Sequence, residues 1–329
     1  MIGLLIRRLL QAGVTLIGVT VAAFVFVKQF PTPFICDAKT HGCTPAAREA
    51  WWHASGYDLP RWQQYLRYLE TWLHRDVPAL SGLGTPFANT LYLAVSALGL
   101  EILLGVALGV LAAVRHRTWL DGLANLTSVV FIAVPTFVVA VAFLATFTYP
   151  WNWFGTFDFS GVFARVTVKP PPFPAGFTPV YWFRHIMLPS LALALAGIGS
   201  TAILTRAGLL EVLGSDYIVT ARAKGLPGWL VVAKHGLKPA LLPIVTMVGL
   251  NFGRIVAGDL LVEQIWHWPG IGVELVNDVI FRQQEQVIAI FVVLCGVFVV
   301  VSALLDIVYV VADPRIRLGP SERAPTANR

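Results

Sequence analysis

The sequence predicts an all-α integral membrane protein with about six transmembrane helices, each using about 20 apolar residues to cross the hydrocarbon core. Three observations predict this. Of 329 residues, 57% are hydrophobic. Only 13% are charged, against roughly 25% in a soluble domain. Four apolar runs contain no charged residue: Leu9–Val27, Gly122–Pro150, Ile186–Leu204 and Val287–Leu305.

Two further segments are long enough to span but carry charge. Thr90–Val114 contains Glu101, and Pro239–Val262 contains Arg254 and Asp259. The chain divides into an N-terminal arm with the first span (1–30), a long extracytoplasmic loop region (31–88), a core membrane domain holding spans two to six (89–313) and a short tail (314–329). The first run follows Arg7 and Arg8 like a signal sequence, but its length favours an uncleaved anchor.

Orientation follows from Lys and Arg in the short connections, which gather on the cytoplasmic side. Arg115, Arg117, Arg206, Arg222, Lys224, Lys234, Lys238, Arg315 and Arg317 fall on the same side as Arg7 and Arg8. The connection Glu263–Gln286 holds Glu263, Glu274, Asp278 and Glu285 against Arg282 alone. Both termini are therefore expected in the cytoplasm of a cell whose inner membrane holds the chain. The net charge of +6 fits this bias, and no basic run or aromatic platform of the nucleic-acid kind accompanies it.

The outer segments differ in kind. Residues 31–88 are rich in Trp and Tyr, with a short helix expected near Arg61–Arg75. Residues 151–185 include Pro170-Pro171-Pro172, a stiff spacer. Trp266-His267-Trp268-Pro269-Gly270-Ile271-Gly272 joins aromatic residues suited to the lipid–water interface to a Pro-Gly turn. Cys36 and Cys43 lie close together in an outer loop, a compartment where disulfides persist. A bridge between them is expected. Free thiols, or a metal site with His41, are the alternatives.

Catalytic signatures are absent. There is no G-x-x-x-x-G-K-[ST] phosphate loop and no H-E-x-x-H. There is no G-x-S-x-G elbow, and the seven histidines are scattered. No catalytic residue and no metal site is assigned, and no cofactor is expected in this chain. Charges within spans normally face protein or water. Glu101, Arg254, Asp259 and Glu263 thus either pair within the bundle or line a path for charged cargo. Glu263 is four residues beyond Asp259, on one helix face.

The connection between the fourth and fifth spans, residues 206–238, carries the most information. Asp216–Gly225 reads as a short helix. Ser215 or Asp216 suits its N-cap, Gly225 the left-handed residue that ends it, and Pro227 prevents continuation. Ala221, Ala223 and Gly225 admit close approach by another backbone, and Arg222 and Lys224 hold the segment in water. On these residues alone, a docking knob and an ordinary interfacial helix are equally good readings.

The segment "DYIVTARAKGLPGWLVVAKHGLKPALLP" resembles the cytoplasmic loop of binding-protein-dependent ABC importer permeases. It is most similar to the B-type subunit of the dipeptide, oligopeptide and nickel branch. The generic signature is E-A-A-x-x-x-G followed by I-x-L-P. Val219, Thr220 and Ala221 stand at the E-A-A positions and Gly225 is the glycine, while the core Thr220–Gly225 matches the branch's "TARAKG". His235 and Lys238 replace the generic Ile and Pro. "IRRLL" at Ile6–Leu10, "VEQIWHWPGIG" at Val262–Gly272 and "DPRIRLG" at Asp313–Gly319 resemble the same branch. Most of residues 31–60 lie outside the resemblance.

The resemblance implies a type I ABC importer permease fold without an ATP site of its own. ATP and Mg would sit on two partner ATPase subunits. Asp216, Tyr217, Thr220, Ala221, Arg222, Ala223, Lys224 and Gly225 would form the ATPase-coupling loop. Trp266, Trp268, Pro269, Gly270 and Gly272 would form an extracytoplasmic gate or turn. A second homologous permease would complete the pathway, and an extracytoplasmic binding protein would deliver peptides. Nickel or another small solute is the alternative cargo. A self-sufficient channel or secondary transporter is the alternative from another class.

Overall fold

The computed structural model describes residues 2–27, 45–54, 56–74, 82–147, 186–258 and 260–312. Every regular element among them is helical. In chain order these are α1 (Ile2–Val27), α2 (Pro45–Ala54), α3 (Arg61–His74), α4 (Gly84–Val114), α5 (Trp119–Ala133), α6 (Thr136–Phe147), α7 (Met187–Leu213) and α8 (Asp216–Ala223). After a short α-helical turn (Gly228–Leu230) that widens into a π-helical one (Val231–Gly236) come α9 (Leu237–Gly258), α10 (Leu260–Ile265), α11 (Ile271–Ile280) and α12 (Gln284–Ala312).

Three helices among the described residues are long and apolar enough to cross a membrane: α4, α7 and Gln284–Leu305 of α12. The number rises to five when each bent pair counts as one span. The long helix α1 supplies the remaining apolar segment, Gly13–Phe26.

Two spans depart from the straight helices that the apolar runs suggest. The run Gly122–Pro150 is bent by 100° between α5 and α6. Pro135 has no N–H to donate and restricts the residue before it, and Val134 takes an extended backbone with ψ 123°. The fifth span bends by 56° where Pro243 enters, and α10 continues it after residue 259.

α7 is the central helix, packed on α4, α5, α6 and α9, while α1 packs on α12. Its contact with α4 is a close one between small residues. A Cβ on Gly105 would lie 2.9 Å from the Thr201 Cβ, and one on Gly109 would lie 2.5 Å from the Thr205 Cβ. The steps of four on both helices show that α4 and α7 run parallel, with the small-xxx-small geometry that lets membrane helices approach closely. The outward faces carry apolar side chains such as Leu103, Leu126 and Leu304, which suit contact with lipid.

The helix expected near Arg61–Arg75 is α3. It docks on α1 through a 2.8 Å hydrogen bond between the Tyr65 and Thr20 hydroxyls and an edge-on contact between Phe24 and Tyr65, 5.4 Å between centroids. Helix α2 was not legible from the apolar pattern, since Pro45–Ala54 is polar and Ala-rich. The loop 151–185, the tail 313–329, and Cys36, Cys43 and Asp259 lie outside the described residues.

Candidate functional site

The polar residues of the bundle gather at three levels along α4. At the end away from α8, Asn89 and Thr90 meet the turn after α10. The Thr90 hydroxyl donates to Glu263 Oε1 at 2.6 Å and accepts the Ile271 N–H at 2.8 Å. Glu263 Oε2 accepts the Gly272 N–H at 2.8 Å. These bonds satisfy backbone donors at the start of α11, where helix termini leave N–H groups unpaired and favour negative charge. The Asn89 amide donates to the Pro269 carbonyl at 2.9 Å. In return the Trp268 indole N–H donates to the Asn89 carbonyl at 3.0 Å.

This geometry corrects one expectation. Trp266 and Trp268 do not face outward to lipid or water but are buried in the core, at 1% and 2% exposure. The Pro269–Gly270 turn folds them back onto the end of α4. Gly270 is required there because a side chain would overlap the Glu263 carboxylate. Gly272 is similarly confined, between Glu263 and Leu260.

At mid-height, Glu101 is fully buried. Its Oε1 accepts from the Thr201 hydroxyl and from the Asn251 amide, each at 2.8 Å. One carboxylate thereby joins α4, α7 and α9, and Gly197 leaves the room it occupies. Arg254 is exposed, one turn beyond Asn251 on α9. Of the four intramembrane charges singled out in the sequence, Glu101 and Glu263 thus sit inside the bundle, at different levels and with different partners.

At the α8 end, the α4–α5 turn meets α7. Asp121 Oδ1 accepts from Arg206 Nε at 2.6 Å and from Asn125 Nδ2 at 3.1 Å. Its Oδ2 accepts from Arg206 Nη2 at 2.9 Å and from the Arg117 N–H at 3.0 Å. His116 Nδ1 lies 3.2 Å from Asp121 Oδ2 and 3.3 Å from Arg206 Nη2. One ring nitrogen donates to the carboxylate or accepts from the guanidinium, but not both.

Beyond α7, the loop helix α8 spans Asp216–Ala223 as its cap residues suggest. Gly225 closes it with φ +75°, in the left-handed region that glycine adopts without strain. Ser215 occupies the N-cap position but its hydroxyl donates backwards, to the Val212 carbonyl at 2.6 Å. Ile218, Ala221 and Val231 form a small apolar cluster with Val212, Leu213 and Leu226. Tyr217 and Val219 point outward, 47% and 63% exposed. Asp216, Thr220, Arg222, Ala223, Lys224 and Gly225 are also exposed. Of the expected docking residues, Ala221 alone faces inward.

Sequence reasoning missed Asn89, Thr90, Asp121, Thr201 and Asn251, and read Arg206 only as an orienting cation. The available signal was a polar side chain recurring within otherwise apolar helices, which demands an internal partner.

Residues 105–318 match the family described as "Binding-protein-dependent transport system inner membrane component". The chain is 33% identical over 322 residues to the oligopeptide transport system permease protein AppB of Bacillus subtilis (strain 168), covering 95% of this chain and 98% of the relative. It is 29% identical over 325 residues to the glutathione transport system permease protein GsiC of Escherichia coli (strain K12), covering 96% and 99%. Its fold is similar to a chain of the MetNI methionine ABC transporter in inward-facing conformations. The TM-score is 0.56 at 15% identity, over 73% of this chain and 100% of that one. The chain belongs to the family of binding-protein-dependent transport system inner membrane components, as a permease subunit of an ABC importer and not itself an enzyme.

Proposed function

We propose that this subunit forms half of a pathway for short peptides across the bacterial inner membrane. Both termini face the cytoplasm, and the cargo arrives from an extracytoplasmic binding protein. A second, homologous permease completes the path. Two ATPase subunits each engage a loop helix, with α8 as the one on this chain. The observation that carries the reading is the build of α8: an apolar underside pinned to the end of α7, a glycine stop, and an outward face led by Tyr217 and Val219. Such a helix passes force to α7 with little slack, because its contacts are packed side chains and not a flexible linker.

Peptide cargo is favoured over nickel because the relatives named above are an oligopeptide and a glutathione permease. The test is co-purification with the neighbouring ATPase, permease and binding-protein gene products, followed by ATP hydrolysis in liposomes. Stimulation by short peptides or glutathione is expected, and stimulation by nickel alone would replace peptide with metal as cargo.

A further inference from the structure

We propose that the Arg206–Asp121 pair is the strut through which α8 moves the α4–α5 corner, making both residues positioning residues for coupling. This rests on the reading of α8 as the ATPase-docking helix.

Asp121 sits in the first turn of α5, and its carboxylate reaches back to the N–H of Arg117. Arg117 has φ +62°, an unusual backbone for a residue with a side chain. The carboxylate therefore fixes the tight turn joining two spans as well as the start of α5. Arg206 grips the same carboxylate with Nε and Nη2, at 2.6 and 2.9 Å. Such a two-point contact fixes direction as well as distance. Its side chain is about three-quarters buried and that of Asp121 nearly fully, at 23% and 8% exposure, so water competes poorly for the contact.

The position of the pair gives it a mechanical role. Arg206 lies two turns before the end of α7, about 10 Å along the axis at 1.5 Å per residue, and α8 begins just beyond that end. Directly before Arg206 in α7, Thr205 meets Gly109 of α4 in near-backbone contact. The Ile218–Ala221–Val231 cluster locks α8 beneath α7. A push on α8 thus moves the end of α7. The α4 face follows through close packing, and the α4–α5 turn, which projects beyond that packing, follows through Arg206–Asp121. Without the pair, α8 and α7 still move together, but the corner is free to lag.

The test uses the assembled importer in liposomes, with glutathione and a pool of short peptides as probes. Cargo uptake and ATP hydrolysis are measured in parallel. Asp121→Asn weakens the pair from one side. Arg206→Gln removes it from the other and leaves the bond between Asp121 and the Arg117 N–H in place. Asn125→Ala removes one donor to the Asp121 carboxylate and leaves both Arg206 contacts in place. The first two variants are expected to assemble and hydrolyse ATP, with uptake per ATP lower by about tenfold, a typical coupling between distant sites. Asn125→Ala keeps the wild-type ratio. Wild-type uptake per ATP in Arg206→Gln overturns the proposal. So does loss of assembled complex in both Asp121→Asn and Arg206→Gln, because the pair then holds the fold and transmits nothing. Failure of the docking reading is seen separately, as unchanged cargo-stimulated hydrolysis in Val219→Asp.

Discussion

Gly109 of α4 and Thr205 of α7 are so close that a methyl group on the glycine would lie 2.5 Å from the Thr205 Cβ and 2.6 Å from the Ala202 carbonyl oxygen. Neither neighbour is the free end of a long side chain, so neither yields cheaply. Gly109→Ala is expected to destabilise the subunit by about 1–3 kcal/mol, as overpacking does in a close-packed core. Gly99→Ala, on the same helix with nothing near its added carbon, is the control and should be neutral. Thermal unfolding of the two variants in detergent checks both.

The Glu263 carboxylate accepts at both oxygens, from Thr90 and from the Gly272 N–H. Glu263→Ala leaves the buried Gly272 donor without this acceptor, at roughly 1–3 kcal/mol for such a group, and empties the space around which the Trp268–Gly270 turn is folded. Glu263→Gln is milder. Its amide oxygen still accepts from Gly272, and its NH₂ donates to the Thr90 hydroxyl oxygen. The expected order of melting temperatures is wild type, then Gln, then Ala. Quenching of the two buried indoles, Trp266 and Trp268, by a soluble quencher is expected to rise in the opposite sense, least in the wild type and most in the Ala variant.

The spans and the loop helix were legible because each is a local signal. An apolar run fixes a span, and a cap, a left-handed glycine and a proline fix α8. The three polar levels were not legible, since each needs partners far apart in the chain. Thr90 meets Glu263 across 173 residues, and Glu101 meets Thr201 across 100 and Asn251 across 150. Glu101 was recognised as an intramembrane charge in want of a partner, but periodicity says nothing about which helix supplies one. The two tryptophans misled for a related reason. Composition places Trp at an interface, and only the fold of the Pro269–Gly270 turn carries Trp266 and Trp268 inward.

Cys36 and Cys43 are expected to form a disulfide that stiffens the segment after α1, a proposal resting on their spacing and on the extracytoplasmic placement proposed for that segment. A bridge needs the two Cα atoms within about 4.4–6.8 Å, which a turn through the intervening glycine allows. Maleimide labelling under oxidising conditions should modify neither cysteine before reduction and both after it. Full labelling of both without reductant would refute the bridge and call the orientation of the loop into question.

Asp278 of α11 is 7% exposed. Burial, reinforced by the nearby Glu274 charge, raises its carboxyl from 3.8 to about 6. The folded state therefore holds this proton more tightly than the unfolded chain does. The stability linked to it is fully present below the ordinary carboxylate range and is lost as pH rises through about 6, the sign opposite to that of a salt-bridged acid. Asp278→Asn removes the titration. Melting temperatures measured from about pH 4 to pH 8 should show a fall for the wild type across this window that is smaller in the variant. Parallel wild-type and variant curves would show that other groups dominate the slope.

The two faces of α8 make opposite predictions. Ala221 belongs to the cluster with Ile218 and Val231, so Ala221→Glu drives a charge into an apolar contact and unseats the helix from α7. Loss of transport in that variant would not isolate docking from folding. Val219 is exposed and absent from that cluster. Val219→Asp therefore changes the surface that an ATPase cleft would meet while leaving the underside intact. The expected result is normal membrane insertion and normal melting, with cargo-stimulated ATP hydrolysis lost. Gly225→Asp falls between the two. The site has open space around it, but its φ of +75° strains any side-chain-bearing residue, by about 1 kcal/mol or more, so partial loss of stability accompanies loss of coupling. Unchanged cargo-stimulated hydrolysis in Val219→Asp would remove α8 as the docking element, whatever the other two variants do.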